Sequence, residues 1–197
     1  MLDVLVTGFG PFPGVDANPT GIVMKRLQQR PGNGLWNLHA HTLPTEYESA
    51  SMRITALLRR IEPDVCICFG VAGPGPIRLE RLARNETTAD CPDNAGDLRL
   101  GAIEAQGPPS YPSTLPLDAI GEALRRAGYA VELSDDAGGY VCNHTFYVAR
   151  HVVETFAPSV SCGLVHFPPI TDASTSIDRL VTAAETVIEA AVRQHLW

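Results

Sequence analysis

Length, composition and charge restrict the class of this protein before any motif is considered. With 197 residues, of which 45% are hydrophobic, the chain can bury a sizeable core and is too apolar to be disordered. A net charge of −7 without a basic stretch excludes an ordinary nucleic-acid partner. No apolar run approaches the roughly 18 residues of a membrane span, so a membrane partner is not expected either.

The N-terminus and the cysteines point to a cytoplasmic protein. Met1–Val6 lacks the basic and long apolar regions of a signal peptide. The five cysteines are an odd number without the spacing of a disulfide framework, which predicts free thiols in a reducing compartment.

The predicted elements alternate between short apolar strands and amphipathic helices. In chain order they are strand Val4–Thr7, loop Gly8–Gly14, a helix opening at Asn18-Pro19, strand Trp36–Thr42, helix Tyr47–Ile61, strands Val65–Phe69 and Ile77–Ala83, an ordered excursion at 85–115, helix Leu117–Ala127, strand Val131–Leu133, helix Asn143–Phe156, strand Gly163–Phe167 and helix Ile177–Val192. This alternation predicts a single α/β domain over residues 1–197. Its sheet should be mostly parallel and twisted, with helices on both faces.

The glycine-rich loop admits two interpretations. A dinucleotide fingerprint needs a glycine where Pro13 stands and a helix opening directly from the loop, so a nucleotide site is not favoured. Phe9 and Phe12 with two prolines form a stiff apolar segment instead. It is either a tight turn carrying core aromatics or the wall of an apolar ligand pocket.

Four of the five cysteines have no local signal for chemistry. Cys66 and Cys68 alternate within an apolar run, too closely spaced for an ordinary paired-cysteine metal site, and are interpreted as small buried hydrophobes. The same holds for Cys162. Cys91 lies in the polar excursion and cannot be assigned from its neighbours.

Cys142 is the strongest candidate for a nucleophile. It follows a glycine turn, Gly138-Gly139, and stands at the start of a predicted helix. There the helix dipole favours a thiolate and free N–H groups can hold an oxyanion; the alternative is a partly buried thiol packing a turn. His166, at the end of a strand, is a candidate base, and the alternative for it is a structural histidine. A Cys–His pair also needs a third group to orient the imidazole, but Glu80 cannot be assigned to this role from its neighbours alone. His144 and His151 are predicted to be packing or surface residues.

Several segments, which follow one another along the chain, resemble the pyroglutamyl peptidase I family of cysteine peptidases. The segments are Val6–Phe12 with Asn18-Pro19, Glu80–Asn85 with Pro92–Asn94, Gly107–Pro116, Ser134–His144 and Gly163–His166. The resemblance extends along nearly the whole chain.

The resemblance implies roles for individual residues. Cys142 would be the nucleophile, His166 the general base and acid, and Glu80 the group that orients His166. The substrate would be a small peptide with an N-terminal pyroglutamate (5-oxoproline), with no cofactor and no metal. The residues assigned to substrate binding are Phe9, Phe12, Asn18, Val71 and Val141. Family members often form homo-oligomers, to which the excursion could contribute.

This chain departs from the family pattern near the site. Val71 stands where a glutamine is common, Cys91 where an arginine is usual before Pro-Asp-Asn, and Gly139-Tyr140 where threonine and phenylalanine are commoner. Three functions therefore remain open: a pyroglutamyl peptidase, a related cysteine hydrolase for another acyl group or lactam, and a non-catalytic binding homologue.

Overall fold

A six-stranded sheet forms the centre of the computed structural model, which describes residues 1–12, 14–15, 17–30, 34–170 and 175–196. The strand order is β2-β1-β3-β8-β4-β7, and β5 and β6 form a separate two-stranded sheet. The strands are β1 (Leu2–Phe9), β2 (Trp36–Leu43), β3 (Val65–Val71), β4 (Ile77–Glu80), β5 (Leu82–Arg84), β6 (Ser110–Pro112), β7 (Val131–Ser134) and β8 (Ser161–Phe167). β1, β2, β3 and β8 run parallel, whereas β4 is antiparallel to β8.

Within the described residues, five helices cover the two faces of this sheet. They are α1 (Pro19–Leu27), α2 (Tyr47–Ile61), α3 (Leu117–Arg126), α4 (Val141–Phe156) and α5 (Ile177–Arg193). The first, third and fifth pack on one face, and α2 and α4 pack on the other. The predicted α/β fold is confirmed.

The two-residue period of the strands divides their side chains between these faces. In β8, Val165 points to the face of α1 and α5, whereas Leu164 points to the face of α2 and α4. In β4, Ile77 and Leu79 belong to the first face. The alternate residues of both strands therefore point toward α4, which places the candidate site on that side.

Two of the differences from the predicted boundaries affect the site. Residues 77–83 do not form one strand, because the backbone of Arg81 bonds to two different neighbours: its N–H donates to Ser134 (2.7 Å) and its carbonyl accepts from Ser113 (2.8 Å). The chain thereby leaves the main sheet, and β5 pairs with β6 of the 85–115 excursion. In addition, α4 begins at Val141, two residues earlier than predicted. Pro13 of the predicted loop lies outside the described residues.

No helix in the described part of the chain is long and apolar enough to cross a membrane.

Candidate active site

The candidate residues meet at the edge of the sheet where β1, β3 and β8 end. Gly70 and His166 are partners in the pairing of β3 with β8, and His166 and Arg78 are partners in that of β8 with β4. Continuing the pairing of β1 with β3 by two residues places Phe9 beside Gly70. Phe9, Gly70, His166 and Arg78 thus follow one another across four strands, about 4.8 Å apart. A cavity of about 330 Å³ opens above this row.

Cys142 enters this cavity from the N-terminus of α4. The first helical residue is Val141, so Cys142 lies in the first turn, where backbone N–H groups lack intrahelical partners. Tyr140 at the N-cap provides no side-chain cap, and these groups stay available to an anion. The preceding turn needs a glycine at 139, because a Cβ there would stand 2.6 Å from the backbone nitrogen of Thr88.

His166 and Glu80 form a buried pair beside the thiol. The imidazole Nδ1 lies 2.8 Å from the Glu80 carboxylate, and both side chains are almost completely buried. Burial by itself lowers the pKa of His166, but hydrogen bonds with Cys142 and Glu80 and their negative charges outweigh it and raise the pKa to about 9. The two partners thus favour the protonated form of the imidazole.

Gly70 provides the space in which imidazole and thiol meet. A Cβ at this position would stand 2.8 Å from His166 Nε2 and 3.0 Å from Cys142 Sγ. Ordinary contacts between heavy atoms are about 3.5–4.0 Å, so no larger residue fits without displacing these groups. The sequence interpretation missed this role, because it ended the strand at Phe69 and assigned no function to Gly70.

The aromatic segment that begins at the end of β1 forms one wall of the cavity. Phe9, Phe12, Asn18 and Val71 all line it. Asn18 caps α1 by accepting a hydrogen bond from the Thr20 N–H (3.0 Å), and its amide donates to the Gly10 carbonyl (3.0 Å). The amide thus holds the backbone between Phe9, the last residue of β1, and Phe12.

Val141 differs from the other predicted binding residues. Its side chain is fully buried in the core between α2, α4 and the sheet, and it is not among the residues that line the cavity. Only its backbone could therefore meet a ligand. Conversely, Thr45, Arg78 and Tyr140 line the cavity although the sequence interpretation did not assign them to it.

Hydrogen bonds connect the polar excursion at 85–115 to the first turns of α4 and α2. The Asn143 side chain accepts from the Arg84 N–H (2.9 Å) and donates to the carbonyls of Arg84 and Glu86. Asp93 accepts from the Tyr47 N–H (2.7 Å) at the start of α2. The region between β5 and α3 is therefore an ordered support for α4.

His144 and three of the cysteines pack as predicted. His144 is buried against Tyr47, and burial lowers its pKa to about 4. Cys66, Cys68 and Cys162 are buried in the core, while Cys91 is exposed and does not line the cavity. Among the described residues, no group of three or more His, Cys, Asp or Glu side chains could hold a metal ion.

A thiol at a helix N-terminus, a histidine and a buried carboxylate on an α/β fold together define the class of cysteine hydrolases. Comparison with known proteins narrows this class. The family model for pyroglutamyl peptidase matches residues 2–194, and the chain belongs to the pyroglutamyl peptidase family.

Known relatives and structures agree with this assignment. The chain is 35% identical to a pyrrolidone-carboxylate peptidase of Brevibacillus brevis, over 96% of this chain and 89% of the relative. A mutant pyrrolidone carboxyl peptidase of Pyrococcus furiosus has a TM-score of 0.92 and 31% identity, covering 98% of this chain and 99% of that one. A pyroglutamyl peptidase I of Bacillus amyloliquefaciens has a TM-score of 0.90 and 30% identity, covering 98% of each.

Proposed function

We propose that this protein removes N-terminal pyroglutamate from small peptides, with Cys142, His166 and Glu80 as its catalytic triad. The observation that carries the proposal is the convergence of the Cys142 thiol and the His166 imidazole over Gly70, with Glu80 at 2.8 Å behind the imidazole. Family membership supports the substrate class.

The first step of the proposed mechanism forms a thioester. The Cys142 thiolate attacks the carbonyl that joins pyroglutamate to the next residue, and a tetrahedral oxyanion develops. The N–H of Cys142, at the uncapped start of α4, stabilises this oxyanion. The His166 imidazolium donates its Nε2 proton to the departing amine, and the C–N bond breaks.

The second step releases the acyl group. Neutral His166 now accepts a proton from water, and the resulting hydroxide attacks the thioester carbonyl. Pyroglutamate leaves and the Cys142 thiolate is regenerated. Throughout, Glu80 holds Nδ1 so that Nε2 faces the thiol.

Substrate selection is proposed to depend on the wall formed by Phe9, Phe12, Asn18 and Val71. Aromatic faces suit the flat lactam ring, and hydrogen bonds to its N–H and C=O separate it from proline. Val71 and Val141 can supply only backbone groups to such bonds. Prolyl substrates, which lack the lactam carbonyl and carry a charged amine, should be refused.

The test is hydrolysis of pyroglutamyl-aminomethylcoumarin by the reduced protein. We expect activity in the wild type and its loss in Cys142→Ala, whereas Cys91→Ala, which removes an exposed thiol outside the cavity, should keep it. Prolyl-aminomethylcoumarin should not be cleaved. A folded, reduced wild type without activity would refute the proposed function.

We also propose a cytoplasmic location and a homo-oligomeric state. All five cysteines are free, and Cys142 must stay reduced to act, which suits a reducing compartment. Leu98 and Leu100 of the excursion are about half or more exposed and could contribute to a subunit interface. Light scattering of the wild type and of Leu98→Ser with Leu100→Ser would test the oligomer, with a lower mass expected for the variant.

A further inference from the structure

We propose that Arg78 forms a subsite for a carboxylate on the residue that follows pyroglutamate, so that the enzyme prefers acidic leaving groups. The inference rests on the proposed function and adds to it the chemistry recognised on the other side of the scissile bond.

The order of Phe9, Gly70, His166 and Arg78 across the sheet indicates how a substrate lies in the cavity. Phe9 lies two strands from His166 toward β1, and Arg78 lies one strand from His166 in the opposite direction. If the acyl group occupies the aromatic wall, the departing amine must lie at His166, and the rest of the leaving group continues toward β4. Its first residue thus comes next to Arg78.

Arg78 points into the cavity because of the strand period. Its neighbours Ile77 and Leu79 point to the face of α1 and α5, so Arg78 points to the same face as Glu80 and His166. It lines the cavity together with Cys142 and His166. Among the described lining residues it is the single lysine or arginine.

The guanidinium has donors to offer a ligand. Its Nε–H donates to Glu132 on β7 (2.9 Å), and the Nη groups have no hydrogen-bond partner among the described residues. A guanidinium presents its N–H groups as a planar fork that matches a carboxylate. Glu132 holds the side chain in place through Nε and leaves the outer edge of this fork to the substrate.

The other charge at this end of the cavity is already paired. Asp136 also lines the cavity, but its carboxylate accepts from the Gly138 N–H (3.1 Å) and lies 3.5 Å from the Arg84 guanidinium. Arg78 is therefore the group best placed to select the charge of a ligand. Its side chain is 32% exposed, so water and salt weaken the interaction.

Two sources could supply the carboxylate. The α-carboxylate of a pyroglutamyl dipeptide lies two bonds from the amine that His166 protonates, and an acidic side chain on the first leaving residue lies somewhat farther. Two matched pairs of substrates separate these sources. Pyroglutamyl-alanine is compared with its amide, and pyroglutamyl-glutamate amide with pyroglutamyl-glutamine amide.

The experiment measures the ratio of kcat/KM between the acidic and neutral member of each pair. We expect the wild type to prefer the acid about threefold to tenfold in at least one pair at low salt, and less at 0.5 M NaCl. In Arg78→Gln this preference should disappear. Because both substrates meet the same enzyme sample, a loss of folded protein cancels from the ratio.

Control variants separate binding by the guanidinium from a change of charge. Arg81→Gln removes an arginine paired with Asp135 on the same part of the sheet but outside the cavity lining, and it should keep the wild-type preference. Arg78→Gln combined with Glu132→Gln leaves the net charge unchanged and should still lose the preference. Recovery of the preference in the double variant would refute the subsite. The loss in Arg78→Gln would then be caused by repulsion between the acidic substrate and the unpaired Glu132.

Failure of this inference differs from failure of the proposed function. Equal ratios in the wild type and Arg78→Gln, with all four peptides cleaved, would overturn the subsite and leave the peptidase intact. If none of the four peptides is cleaved although iodoacetamide labels Cys142, both the function and the subsite are refuted.

Discussion

Replacing Gly70 with alanine should disable the site while keeping the fold. The added Cβ would stand 2.7 Å from His166 Cδ2, 2.8 Å from its Nε2 and 3.0 Å from Cys142 Sγ. Restoring ordinary contact distances would move the imidazole or the thiol by about 1 Å. Misplacement of this size between reacting groups costs about 100-fold in rate, and overpacking a buried site costs about 1–3 kcal/mol of stability.

The assay is kcat and KM for pyroglutamyl-aminomethylcoumarin, together with urea unfolding. We expect kcat to fall about 100-fold and KM to change little, because the aromatic wall is untouched. Gly10→Ala is the matched control, since a Cβ there would stand 3.6 Å from the Leu43 carbonyl, which is an ordinary contact. Activity of Gly70→Ala within threefold of the wild type would refute the packing argument.

Three further predictions concern the buried pair and its support. Glu80→Gln keeps the volume of the side chain but removes the charge that helps to raise the pKa of His166. We therefore expect kcat to fall about 100-fold and the alkaline limb of its pH profile to move to lower pH. An unchanged alkaline limb would contradict this role of Glu80. The folded-state pKa of His166, about 9, exceeds its ordinary 6.5, so the stabilisation from its protonated form is complete below about pH 6.5 and is lost as the pH rises through 9. The stability difference between the wild type and His166→Gln in urea unfolding should therefore shrink from pH 6 to pH 10, and a growing difference would show the opposite sign. Asn143→Leu removes three partly buried hydrogen bonds to the backbone at Arg84 and Glu86 and should lower the free energy of unfolding by about 3 kcal/mol. A loss below about 1 kcal/mol would exclude this supporting role of Asn143.

Local sequence patterns were sufficient for most of the elements and for the placement of the thiol near a helix N-terminus. Short continuous apolar runs identified the central strands, and helical periodicity identified the helices around them. The glycine turn before Cys142 indicated a helix N-terminus because this signal is contained in a few consecutive residues. The order of motifs along the chain also indicated the family.

Only the tertiary structure decided which distant residues share one cavity. Glu80 and His166 are 86 positions apart and meet because β4 lies antiparallel beside β8, an arrangement that no local pattern specifies. The same pairing turns Arg78, an ordinary strand residue in the sequence, into part of the cavity. The pairing of β3 with β8 likewise makes the missing side chain of Gly70 a condition for contact between the thiol and the imidazole. Strand order and register depend on long-range packing of the whole sheet, and this is why the sequence by itself determined the parts of the site while the fold determined their arrangement.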